Sequence, residues 1–526
     1  MLLEAHSIYS QSFSGFIGFG QRPFNYAAAA YVDFTMSQAN LNAGGGNVPM
    51  YTFTSGQPDP SCATSGVQKP IVGYQNGVFV DNTAIFFPWA IASNSGGLTC
   101  VIPHGVLMTY TPANGPFNSN TGTPNQWQWH DMNADSPYAT RGCSPADTTH
   151  YCPMSFNSGV PVGHHIYLLP DFLAVKPVFA MITTTGGFPN FVYNYQDANN
   201  VGFSSGTGWS TGGYDGRYVY MSPTNTNTKL VQKDTLVDAD NSLSASGWKG
   251  FSPKTNSCAG GDGFTNFTGN LGMAIVNNRY VYSIPTSTGS VMSIYDNTGD
   301  FQSCAAWKSI DLSLLGTSGH PSLSAAGIVS SQVTGFAGAI IAITNNDTSN
   351  GTVYLYCIPW SFTRGSGGSL QSSIVARVQV GHFTSGTFHY DDPSSAGAVW
   401  QAFDLSTLTG NSAWAAHNLG PKNFVSQGAM QSVLSGYQLG WINPTTWSVI
   451  FSSANAKYYL THQPTKALSD ATAWSLIPVD ANYSNNSFGG PFDSVNAMIY
   501  PSGYQPPANK STSLVVMIQA TLPAGI

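Results

Sequence analysis

The sequence predicts an all-β fold, and three observations carry that expectation. The residues that normally coat helices are nearly missing, a strand-like window recurs and stops at proline, and tryptophans return at related intervals. Of 24 acidic residues only Glu4 is a glutamate, which leaves 23 aspartates, and Lys plus Arg total 17. Charged residues make up 8% of the chain, against roughly 25% in ordinary soluble proteins. Exposed helix faces are built from Glu, Lys and Arg, whereas a chain rich in Gly, Ser, Thr, Asn and Tyr reads as strands and turns. With 526 residues and 42% apolar content, a large core can form.

The recurring window comes next. R-Y-V-Y-M-S-P (217–223) and R-Y-V-Y-S-I-P (279–285) are nearly the same phrase. Proline has no N–H to give a ladder, so it belongs at strand ends. Further windows of this kind are N-T-A-I-F-F-P (82–88), H-H-I-Y-L-L-P (164–170), T-F-H-Y-D-D-P (387–393), Q-L-G-W-I-N-P (438–444) and V-N-A-M-I-Y-P (495–501). Their prolines lie 82, 53, 62, 108, 51 and 57 residues apart. A-I-I-A-I-T-N (339–345), with Asn345 in the proline position, splits the long gap into 60 and 48. Tyr220, Pro223, Tyr282 and Pro285 are thus read as structural repeat positions.

Tryptophans supply the third observation. W-Q-W-H-D (127–131), W-K-G-F-S (248–252), W-K-S-I-D (307–311), W-A-A-H-N (414–418) and W-S-L-I-P (474–478) open with Trp127, Trp248, Trp307, Trp414 and Trp474, spaced 121, 59, 107 and 60 apart. A further pair, G-V-L-M-T-Y-T-P-A-N-G-P-F (105–117) and G-S-V-M-S-I-Y-D-N-T-G-D-F (289–301), shares Gly, Met, Gly and Phe at one spacing. Each unit of 50–60 residues therefore holds about four short strands, which is the content of a β-propeller blade. Eight starts result, with seven blades as the alternative; a β-sandwich array or a β-helix are the rival architectures. Residues 26–526 form one propeller domain, with a Cys- and Pro-rich loop insertion at 134–161. The last unit lacks its aromatic strand, and Y-V-D-F within 26–42 is expected to close the ring and remove a free sheet edge. The competing reading of 26–42 is a short amphipathic helix.

R-Y-V-Y-x-x-P after a Gly or Asp-Gly turn, followed by G-x-V-x-x-Y-D and W-x-x-φ-D, resembles bacterial and phage β-propeller repeats of the DGRYVYxxP type. The likeness runs over most of residues 70–526 and implies a fold without implying catalytic residues. The Trp-Asp dipeptide of WD40 proteins is absent, as are the Ser-x-Asp-x-Gly-x-Thr-Trp boxes of sialidases.

Chemistry-bearing residues are sparse. Seven cysteines do not make a complete disulfide framework. Cys143 and Cys152 bracket a short polar loop that a disulfide could clamp; zinc on Cys143, His150, Cys152 and His164 or His165 is the alternative, at a spacing that fits no common finger. A glycosidase would need two aspartates, and Asp131/Asp135, Asp238/Asp240 and Asp391/Asp392 are neighbours in sequence. Asp296, Asp311 and Asp404 recur at repeat positions and read as turn formers. Calcium on 238–242 or 296–300 is a weak expectation, since neither run has the EF-hand order, and no other cofactor is expected. G-F-S-S-G (202–206) lacks the strand-to-helix context of a nucleophile elbow. His130 and His417 share a repeat slot, which points to packing.

The net charge of −7 and the lack of a basic tract argue against nucleic-acid binding. No apolar run reaches the length of a membrane span, and 1–13 lacks the pattern of a secretory signal. Residues 1–25 form an N-terminal arm of Gly and Phe, in which Phe13, Phe16, Phe19 and Phe24 are set to dock onto a partner or a neighbouring copy. The expectation is a non-enzymatic recognition or structural propeller of an extracellular assembly, foremost a phage virion protein of tail, fibre or capsid surface. Its partners would be other proteins of the particle and a host-surface glycan or protein. A secreted lectin or adhesin, and a polysaccharide hydrolase using an Asp pair, are the alternatives.

Overall fold

The computed structural model describes residues 74–114, 125–410 and 437–478, apart from short gaps, and the paired strands at 25–35, 50–52, 68–70 and within 492–521. Strand after strand pairs antiparallel with the one before it. The first sheet holds Tyr74–Val80, Thr83–Pro88, Val106–Tyr110 and Trp127–Asp131, and carries an inserted hairpin, Ala90–Ser95 with Leu98–Pro103. The second holds Phe156–Val162, His165–Pro170, Val178–Thr183 and Val192–Asp197. The third holds Trp209–Tyr214, Tyr218–Pro223, Leu230–Asp234 and Trp248–Phe251, and the fourth Asn270–Val276, Tyr280–Pro285, Val291–Asp296 and Trp307–Asp311. The fifth is larger: Phe336–Ile343, Thr352–Pro359, Ile374–Thr384 and Val399–Asp404, with Thr387–Tyr390 and Ser322–Ser324 added. Tyr437–Ile442, Val449–Ser453, Tyr458–His462 and Trp474–Pro478 make the sixth.

A strand buried on both faces needs apolar residues at every position, and Thr83–Pro88 and Tyr280–Pro285 are buried throughout. The two faces of each sheet serve different neighbours. In the second sheet Ile166, Leu168, Ala180 and Ile182 join Val78, Ile85 and Phe87 of the first. The alternate residues Tyr167, Leu169, Phe179 and Met181 join Trp209, Val219 and Met221 of the third. The same alternation sends Met273, Ile275 and Val281 of the fourth sheet against the third, and Ala274, Tyr282 and Ile284 against the fifth. Small four-stranded sheets stacked face to face in chain order are a β-propeller.

The repeated proline has a common place. Pro88, Pro170, Pro223, Pro285 and Pro359 each end the second strand of their sheet, opposite Tyr74, Phe156, Trp209, Asn270 and Phe336 of the first. Just beyond that pair the first strand bulges in every case, and in the sixth sheet too, where Ser453 takes the proline position opposite Tyr437. A residue without an N–H terminates the ladder, and the bulge turns the first strand away there.

The ring is closed by chain ends. Asn25–Thr35 pairs antiparallel with Lys510–Thr521 in a sheet that also holds Phe492–Asp493, Met498–Ile499 and Ser502–Gln505. This sheet lies against the sixth through Asn25–Thr35 and against the first through Ser502–Gln505. Among the described residues the sheets of the ring number seven. The count of eight treats 339–345 and 387–393 as separate starts, and both lie in the fifth sheet, the first on strand Phe336–Ile343 and the second on the added hairpin Thr387–Tyr390. Two further boundaries differ from expectation. The 134–161 loop ends in strand Phe156–Val162, and the window 438–444 falls on a first strand rather than a second.

Candidate functional site

The R-Y-V-Y phrase builds the same module twice. Arg217 donates from Nη2 to Asp234 Oδ2 at 2.8 Å, and Arg279 to Asp296 Oδ2 at 2.7 Å, so each arginine ties the head of a second strand to the end of the third. Each guanidinium also lies over the following tyrosine ring, Tyr218 at 4.7 Å and Tyr280 at 4.8 Å. Tyr220 donates its hydroxyl to Asp215 at 2.6 Å, and Asp215 also accepts from Asn297 of the next sheet at 2.7 Å. Tyr282 donates to Tyr390 of the next sheet at 3.3 Å. Burial pushes both phenols above the ordinary tyrosine range, with the Asp215 charge adding to it at Tyr220 and Tyr390 at Tyr282.

Trp127, Trp307, Trp400 and Trp474 are buried as well, while Trp248 is half-buried. Trp127, Trp248, Trp307 and Trp474 open the fourth strands of the first, third, fourth and sixth sheets, and Trp400 stands second in that of the fifth. Four of these indole N–H groups hold the loop before the strand: Trp248 donates to Ser244 O at 2.9 Å, Trp307 to Phe301 O at 2.9 Å, Trp400 to Pro393 O at 3.2 Å and Trp474 to Leu468 O at 2.8 Å. Trp414 and His417, and the arm residues Phe13, Phe16, Phe19 and Phe24, lie outside the described residues.

The aspartate pairs have fixed partners. Asp131 caps the turn Met132–Ala134 by accepting from Asn133 N at 3.0 Å, and burial raises its carboxyl. Asp135 accepts from the Tyr195 hydroxyl and pairs with His130 Nε2 at 2.9 Å, while the His130 ring stacks on Tyr193 at 3.9 Å. Asp238 is buried with Lys233 at 2.8 Å and accepts from Tyr167 of the second sheet at 2.9 Å. Asp240 pairs with His165 at 3.3 Å at the surface. Asp296 is held by Arg279, and the charge and hydrogen bonds around it keep its carboxyl below the usual range against the opposing effect of burial. Each run expected to suit calcium therefore presents a carboxylate already paired with a cation, Asp238 with Lys233 and Asp296 with Arg279. Asp311 caps its 3₁₀ turn through Ser313 N at 3.0 Å.

Cys143 and Cys152 are joined by a disulfide with Cα atoms 5.7 Å apart. Asp147 stands beside both sulfurs, but sulfurs committed to each other are not thiolate ligands, and His150 turns to Asp147 at 2.8 Å while His164 pairs with Asp81. A second disulfide, Cys258–Cys304, joins the loop after the third sheet to the one before strand Trp307–Asp311. Cysteines 46 residues apart in different loops gave no local signal. Cys357 is buried, and burial raises its thiol.

Asp391 and Asp392 are placed differently from the other pairs: both line a groove of about 530 Å³ on the fifth sheet. The third strand here, Ile374–Thr384, runs 11 residues and folds over into the hairpin with Thr387–Tyr390. Gly381 lets that hairpin close, because a Cβ there would meet the Phe388 ring at 2.4 Å and His389 O at 2.7 Å. Tyr354 lies opposite Gln379, and Tyr356 opposite Arg377, which in turn faces Gln401. These alternate residues share the face that meets the sixth sheet. The innermost of them is covered there, since Tyr356 contacts Phe451 and His462. Further out, Tyr354, Gln379 and Gln401 line the groove.

Arg377 forms the floor and is almost fully buried. It donates from Nε to Gln401 Oε1 at 2.9 Å, from Nη1 to Tyr356 OH at 2.6 Å and Pro464 O at 3.0 Å, and from Nη2 to Lys466 O at 2.7 Å. Tyr356 OH in turn is 3.1 Å from His462 Nδ1, and His462 Nε2 is 3.3 Å from Ala467 O. Burial, then the Arg377 charge, lower His462 to about 3, so its ring is neutral. On the wall, Gln379 Nε2 donates to Asp391 Oδ2 at 2.7 Å, which also takes His382 Nδ1 at 2.8 Å. Asp392 accepts from Lys308 of the fourth sheet at 2.6 Å and from Ser394, and these bonds hold its carboxyl low against the opposing effect of burial.

Sequence reasoning reaches Asp391 and Asp392 but misses Arg377, Gln379, Gln401 and Tyr354. The signal was present in I-V-A-R-V-Q-V (374–380), where two polar residues alternate inside an otherwise apolar strand. In a fold whose strands are buried on both faces, such alternation marks a face left partly uncovered.

No family model matches the chain, and no curated protein matches it. Solved structures to which it is similar include the β-propeller domain of Myceliophteria thermophila Cps50 (Swd1), at 10% identity over 70% of this chain and 99% of that one, with a TM-score of 0.30. The WD40 domain of Toxoplasma gondii coronin is similar at 6% identity, over 86% and 90%, with a TM-score of 0.38. A chain of the mitotic checkpoint complex is similar at 8% identity, over 74% and 79%, with a TM-score of 0.28. The fold itself rests on the sheet order and the cores between sheets described above.

Proposed function

We propose that this chain is a non-enzymatic recognition propeller, and that it works outside the cell as part of an assembly. One observation carries the reading: the groove on the fifth sheet offers fixed polar groups without a pair of carboxylates poised for chemistry. Asp392 is tied to Lys308 and Ser394, and Asp391 to Gln379 and His382. The other aspartate pairs serve as caps and cross-sheet ties. Two disulfides, Cys143–Cys152 and Cys258–Cys304, support an oxidising setting.

Within that reading we place the chain on a particle, as a virion protein of tail, fibre or capsid surface, with the Gly- and Phe-rich residues 1–25 as its attachment to neighbouring proteins. Density-gradient fractionation of the native source, with mass spectrometry following this chain, tests the placement. Co-sedimentation at fixed stoichiometry with a capsid, tail or filament protein is the expected result. A free monomer at the top of the gradient would end the particle reading and leave a secreted recognition protein.

A further inference from the structure

The polar atoms of the groove are not free to choose their roles. Gln401 must present Oε1 to Arg377, because the Nε–H of a guanidinium only donates. Its Nε2 is thereby fixed as a donor elsewhere. Gln379 must present Nε2 to Asp391, because a carboxylate only accepts, which leaves Oε1 as an acceptor. Charged partners of this kind hold an amide firmly. Tyr354 OH, Gln379 Oε1, Gln401 Nε2 and Asp391 Oδ1 take no hydrogen bond among the described residues, and all four side chains line the groove. The wall is therefore a preset mixture of donors and acceptors.

Charge narrows the occupant further. The Arg377 guanidinium is turned toward backbone carbonyls and Tyr356, and Asp391 stands at the wall, so an anion meets repulsion without a dedicated partner. Asp392 is neutralised by Lys308. The lining is not wholly polar: Val399 is 51% exposed at the groove, beside the half-buried rings of Tyr354 and Tyr390. A ligand that matches has alternating hydroxyl groups and an apolar C–H face, and carries no charge. The volume falls within the range of about 300–1,000 Å³ usual for small-ligand sites.

We propose that the groove binds a neutral saccharide unit of a glycan, a ligand class that rests on the recognition reading above. Gln379 and Asp391 accept from its hydroxyls, Gln401 donates to them, Tyr354 does either, and Val399 meets its C–H face.

Saturation-transfer NMR and calorimetry on the full chain test this, using methyl glycosides of glucose, galactose, mannose and N-acetylglucosamine beside N-acetylneuraminic acid. At least one neutral glycoside should bind. Tyr354→Phe and Gln379→Leu should each raise its Kd about three- to tenfold, the loss of one neutral hydrogen bond. Tyr354→Phe removes one oxygen and should leave the thermal unfolding midpoint in place, so a weakened Kd in that variant reads the groove and not the fold. Binding that both variants leave unchanged would overturn the assignment, as would binding of N-acetylneuraminic acid alone. Silence across the panel from a chain that still co-sediments with its assembly would overturn the saccharide and keep the recognition reading. Release of sugar from a bound glycan would overturn the non-enzymatic reading instead.

Discussion

The third and fifth sheets each bury a cation, and they treat it in opposite ways. Lys233 and Asp238 have side chains 0% and 2% exposed, and the ammonium also reaches the carbonyls of Asp234 and Ser246 at 3.0 and 3.1 Å. Arg377 is as deeply placed, yet its partners are a side-chain amide, a phenol and two carbonyls. A compact ammonium sheds its water dearly and requires a countercharge. A guanidinium is more weakly hydrated and spreads its charge over five donors, so neutral oxygens can hold it. The Lys233–Asp238 pair ties the third sheet to the second, because Asp238 also accepts from Tyr167. The arginine locks the fifth to the sixth and sets the floor of a groove.

The sharpest break of this comparison is Asp238→Ala. It leaves Lys233 buried without its countercharge, and unfolding by urea should show a loss of about 3–5 kcal/mol. An unchanged midpoint would mean that neutral oxygens alone suffice, as they do around Arg377.

The second test uses pH on the arginine side. His462 is lowered to about 3 in the folded state, against about 6.5 when unfolded. Between those values the unfolded chain binds a proton that the folded chain does not. Its contribution is fully present above about pH 6.5 and is lost as pH falls toward 3, by up to about 5 kcal/mol. His462→Gln should flatten the slope of stability between pH 6 and 4. A slope that survives the substitution would assign it to the carboxylates held low by their partners.

Covalent ties come next. Cys143→Ser opens a short loop and should cost about 2–3 kcal/mol in thermal unfolding under oxidising conditions. The same experiment under strong reductant should erase the difference from the unaltered chain. Smallest is Arg279→Ala. This pair is partly exposed, so its removal should cost no more than about 1 kcal/mol, several-fold less than Asp238→Ala. Equal losses would show that a half-exposed pair and a buried one carry the same weight here.

The repeat was legible because its signals are local. Pro223 and Pro285 stop a strand through their own chemistry, and Trp248 and Trp307 grip a loop only a few residues away. The fifth sheet defeats the same reasoning. Its true second strand ends at Pro359, in T-V-Y-L-Y-C-I-P, while its added hairpin imitates a new start at 387–393. The groove was hidden for a related reason. Tyr354, Gln379 and Gln401 come from three strands, and only the register that sets Tyr354 opposite Gln379 and Arg377 opposite Gln401 brings them together. Lys233 and Asp238, five residues apart, were not paired in advance because a 3₁₀ turn at Thr235–Val237 bends one back onto the other.

The pairing of Asn25–Thr35 with Lys510–Thr521 also bears on how the protein is made. On the ribosome the partner of the 25–35 strand emerges only after all six intervening sheets. The six sheets before it can stack in order of synthesis, each covering a face of its predecessor, but the stack stays open at both ends. Sealing therefore waits for that late strand, and a chain stopped short of residue 510 leaves the 25–35 strand without its mate. Quality control by the cell would read that open stack as an unfinished product, however well its central sheets had formed.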